Sequence, residues 1–344
     1  MGEAPPGTNS LTETDDDIGE FLPAWWCRGA HAQTMWAAML CPLPKVATHR
    51  ERWETPDGDF LSVDHVPAAT NRPILLILHG LEGSSEARSV RGFLHVAHDM
   101  AWRGVGINFR SCSGEPNRLR RSYHGGDTSD LRWMIQRLAI QHPQAPLCCV
   151  GISLGANILL KYLGEEGTEV PATLKAAAAI STPFDLAISA QSFERGFFNR
   201  LYMNRLVRSL TRKTRAKLHQ YPNLVNRRQL DAVRTIREFD ELVTAPLHGF
   251  TSAADYWAAS SCHRFLASIR RPTLLINALD DPLVPAHTVP RETVATHPYL
   301  SAAFPEAGGH TGFIAGTYPW RPRIWAEQKV AGFFRRHLRS TGHS

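Results

Sequence analysis

The sequence has few cysteines and no long hydrophobic runs, and these two shortages exclude several classes of protein. Its six cysteines, in 344 residues, include no pair with the Cys-x-x-Cys spacing, which argues against a disulfide framework and against a redox motif. No His/Cys cluster has the spacing of zinc ligands and no phosphate-binding loop occurs, so we expect neither a metal nor an organic cofactor. Apolar runs such as 74–78 fall far short of the ~20 residues that cross a bilayer, so we expect no transmembrane segment.

The first residues also lack the features of an export signal. No basic segment followed by an apolar stretch occurs there, and together with reduced cysteines this predicts a cytoplasmic protein. Residues 1–20 contain six acidic side chains and no lysine or arginine. A polar, charged segment of this kind cannot bury enough apolar surface to fold. We therefore expect a disordered acidic tail at 1–20.

Beyond this tail, apolar runs alternate with helical patterns. Solid apolar runs are typical of strands buried on both faces of a parallel sheet. Their alternation with helices predicts a mostly parallel, doubly wound α/β sheet. A β-hairpin is predicted over 46–66, with its turn at 56–59. The other predicted strands lie at 74–78, 105–109, 147–150, 176–180, 273–278 and 300–304, and the principal helices at about 88–102, 127–141, 154–163 and 324–338.

A long interval separates the last two strands of this pattern from the others. It is too long for a structureless loop, and it contains two helix-like stretches. We interpret residues 182–271 as a helical lid or cap insertion. The core domain is then formed by two segments, 21–181 and 272–340.

Residues 151–155, Gly-Ile-Ser-Leu-Gly, match the pattern G-x-S-x-G. These five letters alone are a weak signal, but an apolar strand precedes them and a helical segment follows, which is the arrangement of a nucleophile elbow. Such a turn lifts the serine hydroxyl above the sheet edge, and the helix N-terminus offers N–H groups to a developing oxyanion. We therefore interpret Ser153 as the catalytic nucleophile. The alternative is a Gly/Ser turn that only begins a helix.

A serine hydroxyl needs a base and an orienting acid to become a good nucleophile. In α/β-hydrolases the acid follows the serine along the chain, and the histidine follows the acid. The predicted strand 273–278 runs into Asp280 and Asp281, which places an acid at the same sheet edge as Ser153. Asp281 is favoured because Asp-Pro-x-Val-Pro is the usual form of the acid loop in these enzymes, and Asp280 is the alternative.

Among sixteen histidines, His310 is the best placed to act as the base. It lies in the loop Gly-Gly-His-Thr-Gly, between a short apolar stretch and the last helix. Such a loop can bring the imidazole close to Ser153, where a neutral ring can accept the serine proton and return it to the leaving group. His287 and His297 are competitors with a weaker loop context.

A second oxyanion donor is expected in the loop His-Gly-Leu-Glu-Gly at 79–83, which follows a predicted strand. The backbone N–H of Leu81 would join that of Leu154 in holding the tetrahedral oxygen. We assign His79 a structural role, with its ring hydrogen-bonded to hold this loop. Glu82 lies beside the loop, and the sequence assigns it no role.

Elbow, acid loop and histidine together resemble an α/β-hydrolase, and within that superfamily the chain resembles the YheT-like hydrolases (AB hydrolase type 4). The family commonly has a second glycine where this chain has Ala156. The matching segments are HAQT at 31–34, HGLEGS at 79–84, RSCSGEPNRLRRSY at 110–123 with HGGD after it, GISLGANILLKYL at 151–163 and NALDDP at 277–282.

The resemblance implies a carboxylic ester hydrolase for short- to medium-chain acyl esters, with a triad of Ser153, Asp281 and His310. Some relatives act as lipases on monoacylglycerols or phospholipids. We expect a small-molecule acyl ester as substrate and an acyl-enzyme intermediate. A thioesterase or a phospholipase with the same triad, and a non-catalytic binding protein on the same fold, are the alternatives.

Twelve basic residues between 195 and 237 fall inside the predicted lid. A charge run of this kind is usually a solvated face. A second interpretation is peripheral contact with an anionic lipid surface. A nucleic-acid partner is not expected, because no recognised binding module accompanies the charge.

Overall fold

The computed structural model describes residues 18–340, and its centre is an eight-stranded sheet. The strands are β1 (His49–Glu54), β2 (Phe60–Val66), β3 (Ile74–Leu78), β4 (Arg103–Asn108), β5 (Leu147–Ile152), β6 (Leu174–Ile180), β7 (Thr273–Ile276) and β8 (Leu300–Ala303). Their order is β1-β2-β4-β3-β5-β6-β7-β8. β1 and β2 form an antiparallel hairpin, β2 is antiparallel to β4, and the pairings from β4 to β8 are parallel.

Helices flank this sheet. They are α1 (Ala30–Met39), α2 (Arg88–Asp99), α3 (Ser129–Gln141), α4 (Leu154–Glu166), α5 (Leu186–Ser192), α6 (Phe197–Lys217), α7 (Arg227–Ala232), α8 (Ile236–Phe239), α9 (Ala245–Leu247), α10 (Ala253–Ser260), α11 (Arg291–Thr296) and α12 (Trp325–Ser340). A π-helix, Asp240–Thr244, joins α8 to α9, and a short antiparallel pair, β9 (Ile314–Ala315) and β10 (Arg323–Ile324), precedes α12. None of the helices within 18–340 has both the length and the apolar character needed to cross a membrane.

The central strands are buried on both faces, which explains their solid apolar sequences. Along β3, Ile74, Leu76 and Leu78 belong to a core shared with α3 and α4. Leu75 and Ile77 belong to a second core, shared with α2 and α12. This alternation is the two-residue side-chain period of a strand with apolar layers on both sides.

The predicted fold class is confirmed, since the sheet is mostly parallel and helices cover both faces. The hairpin predicted over 46–66 corresponds to β1 and β2, and the other predicted strands overlap β3 to β8. The interval 182–271 contains α5 to α10, between β6 and β7. Most of the predicted acidic tail, residues 1–17, lies outside the described residues.

A buried ionic cluster connects the hairpin to the long loop after β4. Arg110 is 1% exposed, and its guanidinium donates two hydrogen bonds to Asp130 and one, at 2.7 Å, to Asp59. Burial would raise the pKa of Asp59, but hydrogen bonds from Asn117 and from backbone amides outweigh it and lower the pKa to about 2. The carboxylate therefore stays charged at neutral pH, and Arg110 balances its charge.

Replacing Arg110 with methionine leaves Asp59 and Asp130 buried without this cation. We expect Arg110→Met to lower the free energy of unfolding by about 3–5 kcal/mol, measured by denaturant titration. The matched control is Arg215→Met, which removes the exposed ion pair with Asp231 and should cost less than about 1 kcal/mol. Equal losses in the two variants would contradict the structural role of the buried cluster.

Candidate active site

The turn between β5 and α4 holds Ser153 in a strained backbone conformation. Its φ is 52° and its ψ is −119°, and its N–H donates to the Ile180 carbonyl at 2.8 Å. Two glycines make this turn sterically feasible. A Cβ on Gly151 would lie 2.5 Å from the Gly155 carbonyl oxygen, and a Cβ on Gly155 would lie 2.5 Å from the His79 carbonyl oxygen. The elbow predicted from G-x-S-x-G is present, with Ser153 at its apex.

Ser153, His310 and Asp281 form a continuous line of hydrogen bonds. The Ser153 Oγ lies 2.9 Å from the His310 Nε2, and the His310 Nδ1 lies 2.8 Å from the Asp281 Oδ2. Because a carboxylate can only accept, Nδ1 carries the ring proton and Nε2 is free to accept the serine proton. The backbone N–H groups of Leu283 and Val284 donate to the Asp281 Oδ1 and hold this carboxylate in place.

The two neighbouring acids have different contacts. Asp280 does not reach the imidazole; its Oδ1 accepts a hydrogen bond from the Gly309 N–H at 2.8 Å. It therefore fixes the loop next to His310. Among the competing histidines, His297 is half-buried and its Nε2 lies 3.2 Å from the Ala267 carbonyl oxygen. The structure thus brings His310, and neither His287 nor His297, to Ser153.

The loop after β3 packs directly against the serine. A Cβ on Gly80 would lie 3.1 Å from the Ser153 Cβ. The ring of His79 is fully buried, accepts from the Phe109 N–H at 3.1 Å and donates to the Gly80 carbonyl. Burial lowers the pKa of His79 to about 3, so the ring stays neutral. His79 therefore holds the loop, as the sequence indicated.

Two backbone N–H groups in the cavity that contains Ser153 have no acceptor within residues 18–340. Leu81 and Leu154 line the same cavity as Ser153 and His310. Leu154 is the first residue of α4, where N–H groups have no acceptor within the helix. Among the described residues, neither N–H donates to another backbone or side-chain group. Both amides are therefore free to donate to a substrate oxygen.

The cavity above Ser153 lies between the sheet and the helices of 182–271. Most of its lining is apolar, and Leu154 packs in one cluster with side chains of these helices. Besides Leu81 and Leu154, the apolar lining residues are Pro183, Leu186, Ala190, Phe193, Leu210, Ile236, Phe239, Val243, Leu247, Trp257, Leu283 and Val284. The polar lining residues include Glu82, Arg110, Ser111, Ser122, Lys213 and Lys217. A long apolar group with a polar end fits this distribution.

Two lysines of the basic stretch point inward, so interpreting the whole stretch as a solvated face was wrong for them. Lys213 contacts Glu82, and the buried Lys217 donates to the carbonyls of Leu119, Arg120 and Arg121. Lys217 belongs to the row of buried side chains along α6 that begins with Asn199 and Met203, and Lys213 lies four residues before it. Their spacing of three and four residues was the signal that could have identified them.

Sequence reasoning also missed the residues that position His310. Thr34 of α1 accepts a hydrogen bond from the His310 N–H at 2.9 Å, and Ser181 accepts one from the Thr311 N–H. The buried Gln33 amide bonds to the backbone of Cys27 and of Ile314. Gln33 and Thr34 belong to the segment HAQT, which the sequence singled out without a role.

Within the described part of the chain, one group of side chains has ligand atoms close enough for a metal ion. It comprises His95, His98 and Asp99 on α2. None of the three lines the cavity that contains Ser153. The carboxylates that line this cavity among the described residues are Glu82, which is paired with Lys213, and Asp240, which is bonded to the Thr244 and Trp257 side chains.

A family model described as alpha/beta hydrolase fold matches residues 73–316. The chain belongs to this family, and within it to the YheT-like hydrolases. It is 37% identical over 337 residues to the Escherichia coli (strain K12) protein YheT, named as a candidate esterase, covering 95% of this chain and 98% of that protein. It is 31% identical over 308 residues to phospholipase ABHD3 of Mus musculus, covering 87% of this chain and 74% of that one.

A solved structure shows the same fold at lower similarity. The Pyrococcus furiosus esterase Pf2001 superimposes with a TM-score of 0.56 and 15% identity, covering 87% of this chain and 97% of that chain. The resemblance to the YheT-like hydrolases is confirmed by the matches in sequence, and the fold by the match in structure.

The packing of the elbow can be tested at Gly155. A Cβ there would collide with the backbone oxygens of Leu78 and His79, so we expect Gly155→Ala to lower the free energy of unfolding by about 1–3 kcal/mol. Gly19→Ala is the control, because nothing lies within 4 Å of a Cβ at Gly19. Thermal and denaturant unfolding would measure both, and an unchanged Gly155→Ala variant would contradict the close approach of α4 to β3.

Proposed function

We propose that this chain is a serine hydrolase that cleaves carboxylic esters through an acyl-enzyme on Ser153. The reaction class is carboxylic ester hydrolysis, in agreement with the names of its relatives. The observation that carries the proposal is the continuous line from Ser153 through His310 to Asp281, at 2.9 and 2.8 Å, beside two free amides. A nucleophile, a base, an orienting acid and oxyanion donors are the parts that acyl transfer needs.

Each group has one task in the proposed mechanism. The Ser153 Oγ attacks the ester carbonyl while the His310 Nε2 takes its proton. The Asp281 carboxylate keeps the proton on Nδ1 and stabilises the imidazolium. The carbonyl oxygen becomes an oxyanion and accepts from the N–H groups of Leu81 and Leu154. The tetrahedral intermediate collapses, His310 protonates the leaving alcohol, and water then releases the acid from Ser153 by the same steps.

The apolar lining of the cavity supports the binding of an acyl chain. The proposed chain is short to medium in length, as the resemblance to the YheT-like hydrolases implies, and includes the acyl chains of lipid esters such as monoacylglycerols. The apolar side chains of the inserted helices provide a surface for the methylene groups, whose burial contributes about 0.8 kcal/mol each. The alternative substrates are a thioester and a phospholipid, because the same triad would act on either carbonyl. The mechanism uses only side chains, backbone amides and water.

The insertion at 182–271 acts as a lid in this proposal, because its helices cover the reactive serine. At its outer edge, the first turns of α6 expose Phe197, Phe198 and Leu201 next to the exposed Arg195 and Arg200. Exposed aromatic side chains beside cations are the combination that favours contact with an anionic lipid surface. These residues support the proposed peripheral contact.

Removing the nucleophile tests the proposal directly. Ser153→Ala should abolish hydrolysis of p-nitrophenyl butyrate and p-nitrophenyl octanoate, and a fluorophosphonate probe should label the native protein at Ser153 and not the variant. Ser301→Ala, at an exposed position of β8, is the control and should keep both activities. The proposed mechanism would be contradicted if Ser153→Ala hydrolysed both esters as fast as the unmodified protein.

The two adjacent acids give a second test. Asp281→Asn should lower kcat by about 10⁴-fold, because an amide at this position favours the wrong tautomer of His310. Asp280→Asn keeps an acceptor for the Gly309 N–H, so its loss should be far smaller. Steady-state kinetics on p-nitrophenyl butyrate would separate the two variants, and a larger loss for Asp280→Asn would reverse the assignment.

A further inference from the structure

Glu82 follows the proposed oxyanion residue and is almost fully buried, with a side chain that is 3% exposed. Its Oε1 accepts from the Tyr123 hydroxyl and from the Lys213 Nζ, each at 3.0 Å. Its own N–H donates to the Tyr123 oxygen at 2.8 Å, which fixes a backbone with a φ of 57°. Burial raises the pKa of Tyr123 well above its usual value, so this hydroxyl stays protonated.

This cluster retains unused hydrogen-bonding capacity beside the reactive serine. The second carboxylate oxygen of Glu82, Oε2, is buried and has no partner among the described residues. Lys213 has three N–H donors, and the structure records two acceptors for them, Glu82 and Cys112. Both side chains line the cavity that contains Ser153 and His310. A buried carboxylate oxygen without a donor is costly unless a bound group supplies one.

We propose that Glu82 and Lys213 form a subsite that binds a hydroxyl group on the alcohol part of the ester substrate. The proposal rests on the ester hydrolysis proposed above. A hydroxyl is both a donor and an acceptor. It can donate to the Glu82 Oε2 and accept from the remaining N–H of Lys213, which a hydrocarbon cannot do.

The distribution of side chains in the cavity assigns this subsite to the alcohol and not to the acyl chain. The inserted helices supply an apolar wall that includes Phe193, Phe239 and Trp257. The charged lining residues Glu82, Arg110, Lys213 and Lys217 come from the loop at 79–83, the loop after β4 and the last turns of α6. The other inserted helices contribute one carboxylate, Asp240, which is already bonded to the Thr244 and Trp257 side chains. The acyl chain is therefore expected against the apolar wall, and the alcohol beside Glu82.

The charges in the cavity favour a neutral hydroxyl over a phosphate. Arg110 is bonded to three aspartates, and the three donors of Lys217 are taken by backbone carbonyls. The charge of Lys213 is balanced by Glu82. Burial lowers the pKa of His124 to about 4 and that of His248 to about 3, so both rings are neutral. Among the described lining residues, no cation is left over for a phosphate.

Matched substrates test the subsite. The test compares kcat/KM for 1-monooctanoylglycerol, for propyl octanoate, which lacks both hydroxyls, and for 1-octanoylglycerol 3-phosphate. The native protein should prefer the glycerol ester over propyl octanoate by about 10-fold or more, the size of a hydrogen bond to a charged group. The phosphate ester should be the poorest glycerol substrate, and a preference for it would overturn the proposal.

Variants separate recognition of the hydroxyl from a purely structural role. Glu82→Gln keeps the shape of the side chain but replaces the free acceptor with an amide, and Lys213→Met removes the donor. Either variant should reduce the preference for the glycerol ester over propyl octanoate to less than about 3-fold, from the loss of one charged hydrogen bond. Tyr123→Phe loosens the oxyanion loop and should slow both esters equally. Arg215→Met, on the same helix and paired outside the cavity, should keep the native ratio.

Three outcomes would overturn the subsite, and they can be told apart. If the native protein hydrolyses p-nitrophenyl octanoate but does not discriminate between the glycerol ester and propyl octanoate, the subsite is wrong and the proposed function stands. If Glu82→Gln and Lys213→Met each slow hydrolysis of the glycerol ester and of propyl octanoate by the same factor, the pair only stabilises the loop at 79–83 and the subsite is wrong. A native protein inactive on every ester would overturn the proposed function together with the subsite.

Discussion

Backbone contact between α4 and the end of β3 is the constraint on which the site depends. Gly155 lets the helix pass against the carbonyls of Leu78 and His79, with no room for a side chain. This contact places Ser153 beside Gly80, so the serine and the loop at 79–83 are held together at the same edge of the sheet. The loops after β7 and β8 then bring Asp281 and His310 to a serine that is already fixed. Because parallel strands end at the same edge, loops far apart in sequence converge there.

Buried charges in this protein serve two different purposes. Arg110 and Lys217 are saturated by internal partners, and they hold the loop after β4 against the hairpin and against α6. The pair Glu82–Lys213 instead joins the oxyanion loop to the insertion and keeps part of its hydrogen-bonding capacity. The insertion is therefore attached to the core through charged groups at two points of α6. It cannot move away from the site without exposing these groups or breaking their bonds, which couples its position to that of the oxyanion loop.

The fold could be predicted from the sequence because its signals are local, and the residues proposed to react were identified from local signals of the same kind. Apolar runs mark strands, and the elbow at Ser153 is a short pattern between a strand and a helix. The sequence left two candidates for the orienting acid, Asp280 and Asp281. They are adjacent in the chain, and only the direction of each side chain distinguishes them. The contact of Lys213 with Glu82 joins residues that are 131 positions apart, and that of Thr34 with His310 spans 276. No local pattern specifies such pairs, which depend on how the packed layers meet.

The position of α1 has a consequence for the size of the working unit. Gly309 and Gly312 pack so tightly on this helix that a Cβ on either would overlap the backbone of Ala30 or of Gln33. Thr34 then holds the amide of His310. The segment matched by the family model, 73–316, contains Ser153, Asp281 and His310 but not this helix. A fragment cut to those limits would keep the three side chains of the proposed triad but would lose the hydrogen bond from Thr34 that positions His310. The unit needed for the proposed activity is therefore expected to begin on the N-terminal side of residue 30.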